Sequence, residues 1–161
     1  MVFVPVLFYV WDMVLMDHIT ERPGIRLARG VCRMLMDEGF SVLTEFPVKT
    51  GRRLDVLALG PQGALWCIEV KSSRADFQAD NKWPEYLDWC DRLYFAVPPG
   101  FPEDLLPTTH GLIRTDEWDA EILRHGAEDP LNAARRKAVL LRFARLAADR
   151  LARGPVEDGQ I

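Results

Sequence analysis

The segment Gly51–Lys71 constrains the fold of this 161-residue chain more than any other, because it joins two apolar runs through a tight turn. The runs Leu54–Leu59 and Leu65–Val70 each have the length of a typical strand, and Gly-Pro-Gln-Gly lies between them. Pro61 favours a type I turn, and Gly63 favours the left-handed position of a three-residue hairpin loop. The segment is therefore predicted to be an antiparallel hairpin.

Charged side chains occupy this hairpin where a core strand would carry apolar ones. Asp55 interrupts the first run, and Glu69 and Lys71 follow the apolar part of the second. The turn register places Asp55 opposite Glu69, and Lys71 shares their face because strand side chains alternate with a period of two. Burying an unpaired carboxylate is costly, so these charges are expected to have partners, a metal or water.

The preceding turn extends the pattern to a third strand. Val48–Arg52 offers another three-residue loop with Gly51 in the left-handed position, which places Glu45 opposite Asp55. Glu45, Asp55 and Glu69 would then form a row of like charges about 5 Å apart, which repel unless a cation lies among them. Carboxylate oxygens suit Mg²⁺ or Mn²⁺ rather than zinc.

The remaining patterns predict a helix, three antiparallel strands, a second helix, a strand and a final helix. Apolar residues at helical spacing, turn residues and a capping serine give the boundaries. Pro84 predicts either a break in the second helix or the start of another. The predicted elements are a helix Ile25–Glu38, a strand Phe40–Val48, the Gly51–Lys71 hairpin, a helix from Ala75 capped by Ser73, a strand Leu93–Val97, a short strand Gly111–Arg114 and a helix Leu131–Leu151.

Composition predicts one soluble globular domain, and the order of the predicted elements makes it an α/β domain over residues 21–153. The chain is 48% hydrophobic and carries a net charge of −4, and this negative charge argues against nonspecific binding to nucleic acid. Its three cysteines lack metal-ligand spacing and are expected to fill the core of a cytoplasmic protein. No His/Cys pairing indicates zinc, and no glycine-rich phosphate loop indicates a nucleotide cofactor.

Both ends of the sequence lie outside this predicted domain. Residues 1–20 begin with an apolar stretch that contains no Lys or Arg in its first 17 positions, unlike a signal peptide. Acidic residues and a proline interrupt this stretch, so no membrane segment is predicted. It is either an additional strand, a peripheral extension or the result of a start upstream of Met13 or Met16. Residues 154–161 are expected to be disordered.

A basic surface is predicted near the carboxyl end of the domain. Between Arg124 and Arg153 there are eight Lys or Arg residues against three Asp or Glu, and Arg135, Arg136 and Lys137 are the densest cluster. Phosphate contacts supply most sequence-independent affinity for DNA. The alternative is an amphipathic helix with a solvated rim. Arg52 and Arg53, beside the first turn, are likewise either solvated or able to grip a phosphate.

Asp55 followed by Glu69-Val70-Lys71 resembles the motif of the PD-(D/E)XK nuclease superfamily. The resemblance implies metal-assisted phosphodiester hydrolysis, in which Asp55 and Glu69 hold Mg²⁺ or Mn²⁺ and Lys71 orients water or stabilises charge. Many relatives carry an acidic residue in the first helix. This chain has arginines and alanine there, and Glu45 is expected to substitute.

Longer blocks give a narrower resemblance, to the MmcB family of bacterial DNA-repair proteins. They include ARGVCRMLMDEGF, LTEFPVKTGRRLDVLALGP, SSRADFQADNKWPEYLDWCDRLYFAVP and ARRKAVLLRFARLAA, within about Arg22–Leu151. The resemblance implies a restriction-endonuclease-like core, with a mixed β-sheet whose first three strands are antiparallel, flanked by helices. It also implies a cytoplasmic role in DNA repair, with DNA and other repair proteins as the expected partners.

Related nucleases position DNA with polar and aromatic residues on the helix after the lysine, so Gln78, Lys82 and Tyr86 are candidate contacts. Lys82 and Tyr86 share one helix face only if the helix continues through Pro84. The alternative is that Tyr86 packs on the sheet and Lys82 is solvated or paired with Asp76, Asp80 or Glu85.

Three functions follow from these expectations. The first is a metal-dependent deoxyribonuclease acting in DNA repair. The second is an inactive repair factor that binds DNA or a partner through the same fold. The third is an interaction domain that uses the basic final helix.

Overall fold

The computed structural model describes residues 22–153, which form one six-stranded sheet with helices packed against it. The predicted extension 1–20 and tail 154–161 lie outside the described residues. The elements in chain order are α1 (Pro23–Asp37), β1 (Ser41–Pro47), β2 (Arg53–Leu59), β3 (Leu65–Val70), α2 (Arg74–Ala79), a 3-10 helix (Trp83–Trp89), β4 (Arg92–Val97), a 3-10 turn (Glu103–Leu105), β5 (Gly111–Thr115), β6 (Ala120–Arg124) and α3 (Ala133–Arg153).

The order of the strands across the sheet follows their order in the chain, β1 to β6. The β1–β2, β2–β3 and β5–β6 pairs are antiparallel, whereas β3–β4 and β4–β5 are parallel. This confirms the predicted mixed α/β fold with three antiparallel strands first. The arrangement is compatible with a restriction-endonuclease-like core.

Both predicted hairpin turns are present with the expected glycine geometry. The Gly60 N–H donates to the Ala64 carbonyl at 2.8 Å, and the Val48 N–H donates to the Arg52 carbonyl at 2.9 Å. Gly51 and Gly63 have φ angles of 81° and 86°, a region that disfavours residues with a Cβ atom. The strands pair in the register that these turns impose, with Val56 opposite Ile68 and Thr44 opposite Val56.

The helix α1 covers one face of the sheet with an apolar stripe that includes Leu27, Val31 and Leu35. Pro23 lies in its first turn, where a missing N–H costs nothing. Gly39, with a φ of 85°, ends the helix in the left-handed conformation. Gly30 lets α1 approach the β5–β6 turn, because a Cβ atom there would lie 2.2 Å from the Asp116 carbonyl oxygen.

The opposite face of the sheet is covered by α3 and by the connection between β3 and β4. Val139 and Phe143 of α3 are buried in this layer together with Tyr86 and Trp89 of the 3-10 helix. All three cysteines are free and buried, as predicted for core residues. Within residues 22–153, no helix combines the length and the apolar character needed to cross a bilayer.

The break that Pro84 predicted is present, because the helix α2 ends at Ala79 and a separate 3-10 helix begins at Trp83. Two other local features need correction. The strand β6 was not predicted; it lies at the edge of the sheet, and its five residues Ala-Glu-Ile-Leu-Arg are at most partly buried. The final helix, predicted over Leu131–Leu151, extends from Ala133 to Arg153, and Leu151 near its end is exposed.

Candidate active site

An open cleft of about 960 Å³ lies beside the end of β3, between residues of α1 and residues of the β1–β2 pair. The cleft contains the charged residues that the sequence singled out. Asp55, Glu69 and Lys71 all line it, and Glu45 lies at the same surface. The predicted register has therefore brought these side chains into one concave site.

Asp55 is held at a point where the two-residue alternation of β2 breaks. Leu54 and Leu57 pack in the same core layer, whereas Val56 packs in the opposite one. Glu45 lies on the neighbouring strand β1 and has a φ of 49°. Among the described residues, it is the only one other than glycine with a positive φ. The Asp55 Oδ2 atom accepts a hydrogen bond from the Val70 N–H at 2.8 Å, which fixes the carboxylate against β3.

Glu69 and Lys71 are almost completely buried, each with 4% of its surface exposed. The Lys71 Nζ donates to Glu69 Oε1 at 2.9 Å and to Asp80 Oδ2 at 2.5 Å. The other Glu69 oxygen, Oε2, is buried and has no hydrogen-bond partner among the described residues. A buried carboxylate oxygen without a donor is unfavourable, and natural proteins retain one where it has another use.

The ionisation of the two acids is suppressed by their surroundings. Burial raises the pKa of Asp55 to about 6, against the opposing effects of the Val70 N–H and Lys71. Burial, and then the charge of Asp55, raises the pKa of Glu69 to about 8. Burial alone would lower the pKa of Lys71, but Glu69 and Asp80 outweigh it and the net direction is upward. Added positive charge at this site would favour the ionised form of both acids.

The residues fit a hard divalent cation, although with fewer protein ligands than the sequence predicted. Asp55 and Glu69 offer carboxylate oxygens, and Glu69 Oε2 is unsatisfied. Mg²⁺ retains several waters and is commonly held by one or two carboxylates together with substrate phosphates. In residues 22–153, no group of three His, Cys, Asp or Glu side chains is arranged to hold a metal.

Glu45 accordingly stands apart from the expected row of three ligands. Its carboxylate forms an ion pair with Arg53 at 3.1 Å, and more than half of its side chain is exposed. Its charge still raises the pKa of Asp55, after the larger effect of burial. The structure therefore presents a pair of carboxylates with Glu45 at the rim of the cleft.

The two arginines beside the first turn both have acidic partners. Arg53 pairs with Glu45, and Arg52 forms a two-pronged pair with Glu85, at 2.7 and 2.9 Å. Both arginines remain partly exposed. Their expected contact with DNA stays a prediction, and for Arg52 it would compete with Glu85.

The three candidate DNA contacts after Lys71 do not share a helix face. Gln78 and Lys82 are exposed, but Lys82 follows the end of α2. Tyr86 is only 5% exposed and packs in the core beside Trp89. A contact between Tyr86 and DNA is therefore contradicted by its burial, because Pro84 starts a new helix that turns the tyrosine onto the sheet.

The basic cluster on α3 is partly engaged within the protein. Arg135 lies over the Trp89 ring, 5.1 Å from its centroid. Arg136 donates to both oxygens of Asp91, at 2.9 and 2.5 Å, and to the Gly63 carbonyl. Lys137 is exposed. Of these three side chains, Lys137 alone has no ion pair or ring contact within residues 22–153, and its ammonium group therefore remains in solvent.

Two acidic residues that hold the site and its surroundings in place were not identified from the sequence. Asp80 holds Lys71, although the sequence indicated it only as a partner for Lys82. Asp91 is 3% exposed and joins β3, the segment before α3, and α3 itself. A signal for Asp91 was available, because an acid directly before the apolar run of β4 has to be paired if it is buried.

The fold and the cleft define a class of protein: a mixed α/β domain in which a half-buried carboxylate on β2 faces a buried carboxylate and a buried lysine at the end of β3. These features are consistent with the PD-(D/E)XK superfamily. The chain belongs to the MmcB-like DNA repair protein family, whose model matches residues 13–157.

A solved structure supports the same fold. It is a protein of unknown function from Silicibacter pomeroyi, with 51% sequence identity and a TM-score of 0.81. The similarity covers 87% of this chain and 97% of that one. No curated protein matches the chain.

Proposed function

We propose that this DNA repair protein is a metal-dependent deoxyribonuclease that hydrolyses phosphodiester bonds in the Asp55–Glu69–Lys71 cleft. The observation that carries the proposal is the buried Glu69 Oε2 atom, which has no hydrogen-bond partner among the described residues. It lies in a cleft with a second, half-buried acid, Asp55, whose pKa is also raised. Strongly perturbed acids clustered in a cleft are typical of functional sites.

In this proposal Asp55, Glu69 and Lys71 have separate roles. Asp55, fixed by the Val70 N–H, and Glu69 Oε2 would hold Mg²⁺ or Mn²⁺. The bound cation would polarise the phosphate and lower the pKa of an attacking water. Lys71, held between Glu69 and Asp80, would keep its ammonium group beside the reacting phosphate and stabilise the charge that develops there.

A second candidate function is DNA or partner binding without cleavage. Seven Lys or Arg residues and one Asp lie on α3, and Lys137 is exposed there. Such a surface can bind the phosphate backbone independently of the cleft. Neutralising exposed cations of α3 would abolish this function and leave metal binding unchanged.

The test is Mn²⁺ calorimetry on the wild-type protein, run beside cleavage of single-stranded, duplex and branched DNA. Binding of Mn²⁺ with cleavage that stops on adding EDTA is the expected result. A folded protein that binds no Mn²⁺ and cuts none of the three substrates would exclude the nuclease and leave the binding function.

Metal affinity is expected to depend steeply on pH. Protonated Glu69 cannot be a ligand, and its raised pKa of about 8 means that Mn²⁺ has to displace a proton at neutral pH. The affinity should rise about tenfold per pH unit between pH 6 and 8, and about one proton should be released per Mn²⁺ at pH 7. Calorimetry in buffers of different ionisation enthalpy measures that proton, and identical heats in all buffers would contradict the prediction.

Asp80 is expected to act as a positioning residue for Lys71. In Asp80→Asn, the amide can still accept from the Lys82 N–H, as Asp80 Oδ1 does at 2.7 Å, but it no longer attracts the Lys71 ammonium. A misplaced Lys71 should lower kcat by about 10²-fold while KM and Mn²⁺ affinity change little.

Steady-state kinetics and calorimetry separate the outcomes for Asp80. Asp88→Asn is the matched control, because Asp88 is exposed. Loss of Mn²⁺ affinity in Asp80→Asn would instead make Asp80 part of the metal centre.

A further inference from the structure

The wall of the cleft opposite the two acids is formed by α1 and the residue before it. Arg22, Ile25, Arg29 and Cys32 line the cleft, at spacings of three, four and three residues. Ile25, Arg29 and Cys32 therefore share one side of the helix, and Arg22, which immediately precedes the helix, lines the same cleft. The wall therefore alternates cationic and apolar side chains along its length.

The position of this wall is fixed by its contacts with the far end of the sheet. Arg29 donates to Glu117 in the β5–β6 turn at 3.1 Å. Gly30 permits the close approach of α1 to the same turn. These contacts hold α1 against the β5–β6 turn and so position the wall relative to the sheet that carries Asp55 and Glu69.

Ile25 is unusual for an aliphatic residue on a helix that packs against a sheet. It is 48% exposed and faces the cleft, with Arg22 on one side and Arg29 on the other. A phosphate contact alone has no use for an exposed aliphatic side chain. A nucleotide with an accessible base or sugar does, because those surfaces are partly apolar.

We propose that this α1 wall, Arg22, Ile25 and Arg29, binds a single strand of DNA beside the carboxylates. The arginines contact the phosphates on either side of a nucleotide whose base or sugar packs on Ile25. This inference rests on the proposed function for the site itself and specifies the substrate as a single-stranded or frayed end.

A continuous duplex fits these features less well. Glu69 lies at the base of the cleft with 4% of its surface exposed, so the scissile phosphate has to enter rather than lie across the mouth. A duplex keeps its bases stacked inside and presents only sugar and phosphate to such a wall. Binding sites for single-stranded DNA combine cationic side chains that contact the DNA backbone with surfaces on which unpaired bases pack.

The charged side chains that line the cleft distinguish it from the basic surface of α3. Four basic and four acidic side chains line it: Arg22, Arg29, Arg53 and Lys71 against Glu45, Asp55, Glu69 and Asp76. Two of these acids, Asp55 and Glu69, would hold the divalent cation, which would add the positive charge that attracts a polyanion to this cleft. Binding to the basic surface of α3 does not depend on such a cation.

The experiment is fluorescence anisotropy with a labelled 12-nucleotide single strand and the corresponding duplex, in Ca²⁺ and in EDTA. The wild type should bind the single strand more tightly, and only with Ca²⁺. Arg22→Gln should weaken that binding about fivefold and lower the salt slope by about 0.7, as expected for one lost phosphate contact. Ile25→Ala should also weaken binding to the single strand and leave the salt slope unchanged.

Arg114→Gln is the matched control, because it removes one exposed arginine from β5, outside the cleft. It should leave the affinity unchanged. Equal effects of Arg22→Gln and Arg114→Gln, preference for the duplex, or the same affinity in EDTA would each overturn the inference. So would the absence of any binding by the folded wild type.

Cleavage with Mn²⁺, measured separately, distinguishes this inference from the proposed function. Cation-dependent single-strand binding that Arg22→Gln weakens, without cleavage by the wild type, would uphold the α1 wall and reject the nuclease. Cleavage by the wild type that Arg22→Gln leaves unchanged in KM would uphold the nuclease and reject the wall.

Discussion

Asp55→Asn is expected to reduce DNA cleavage at least about a thousandfold, which corresponds to about 4 kcal/mol of transition-state stabilisation. The substitution removes the negative charge and therefore the anionic ligand. The asparagine oxygen can still accept the hydrogen bond that the Val70 N–H gives to Asp55 Oδ2 at 2.8 Å. Mn²⁺ calorimetry should show a corresponding loss of affinity.

The same variant should be at least as stable as the wild type. Asp55 and Glu69 repel each other, and the charge of Asp55 contributes to the raised pKa of Glu69 after the larger effect of burial. Asparagine removes a carboxylate whose ionisation is opposed by burial, so the free energy of unfolding in urea should not fall. A catalytic site that destabilises its own fold is a known trade-off. Asp88→Asn should leave cleavage, Mn²⁺ affinity and stability unchanged, and wild-type cleavage by Asp55→Asn would refute the assignment.

Asp91→Ala should have the largest effect on stability, lowering the free energy of unfolding by about 3–5 kcal/mol. The carboxylate accepts from the Leu65 and Leu131 N–H groups at 2.8 and 2.9 Å and from both terminal nitrogens of Arg136. Alanine leaves these donors without their acceptor. The expected fall in Tm is about 10 °C, measured by calorimetry beside urea unfolding.

The pH dependence of stability gives a second measure of Asp91. Burial opposes its ionisation, but Arg136 and the two N–H groups outweigh burial and hold the pKa below its ordinary value. Because the folded pKa lies below the unfolded one, the contribution is present above about pH 4 and is lost as the pH falls toward the folded pKa. The difference between wild type and Asp91→Ala should therefore shrink in acid. Asp88→Ala, an exposed control, should show no such difference at any pH.

A variant of Arg136 tests whether the loss of stability in Asp91→Ala comes from the contact between Asp91 and Arg136. The double variant Asp91→Ala/Arg136→Ala should be less destabilised than the sum of the single variants, by about 1–3 kcal/mol. Additive effects would mean that the two side chains act independently, contrary to their contacts.

Local sequence determined the parts of the site that depend on turns. The glycines at positions 51 and 63 set the hairpin registers, and those registers bring Asp55 toward the end of β3 beside Glu69. Pro84 likewise marked the end of one helix and the start of the next. These features could be predicted because turn geometry depends on a few adjacent residues.

Contacts between distant residues could not be predicted in the same way. Asp91 reaches Leu65, Leu131 and Arg136, which lie 26, 40 and 45 positions away. The pairs on either side of Glu45 and Asp55 follow the predicted register, but the ion pair of Glu45 with Arg53 depends on side-chain directions that the register does not specify. Tyr86 was misassigned because its burial is determined by how the 3-10 helix meets the sheet.

The chain-ordered strands of the sheet have a consequence for folding. Strands that pair with their neighbours in sequence close short loops, and such pairings form faster than those between distant segments. Asp55 and Glu69 belong to the three-stranded meander of β1, β2 and β3, the most local part of the sheet. During synthesis the two acids can therefore meet before α3 leaves the ribosome. The contacts of Arg136 with Asp91 can form only afterwards, because α3 is the last of the described elements in the chain.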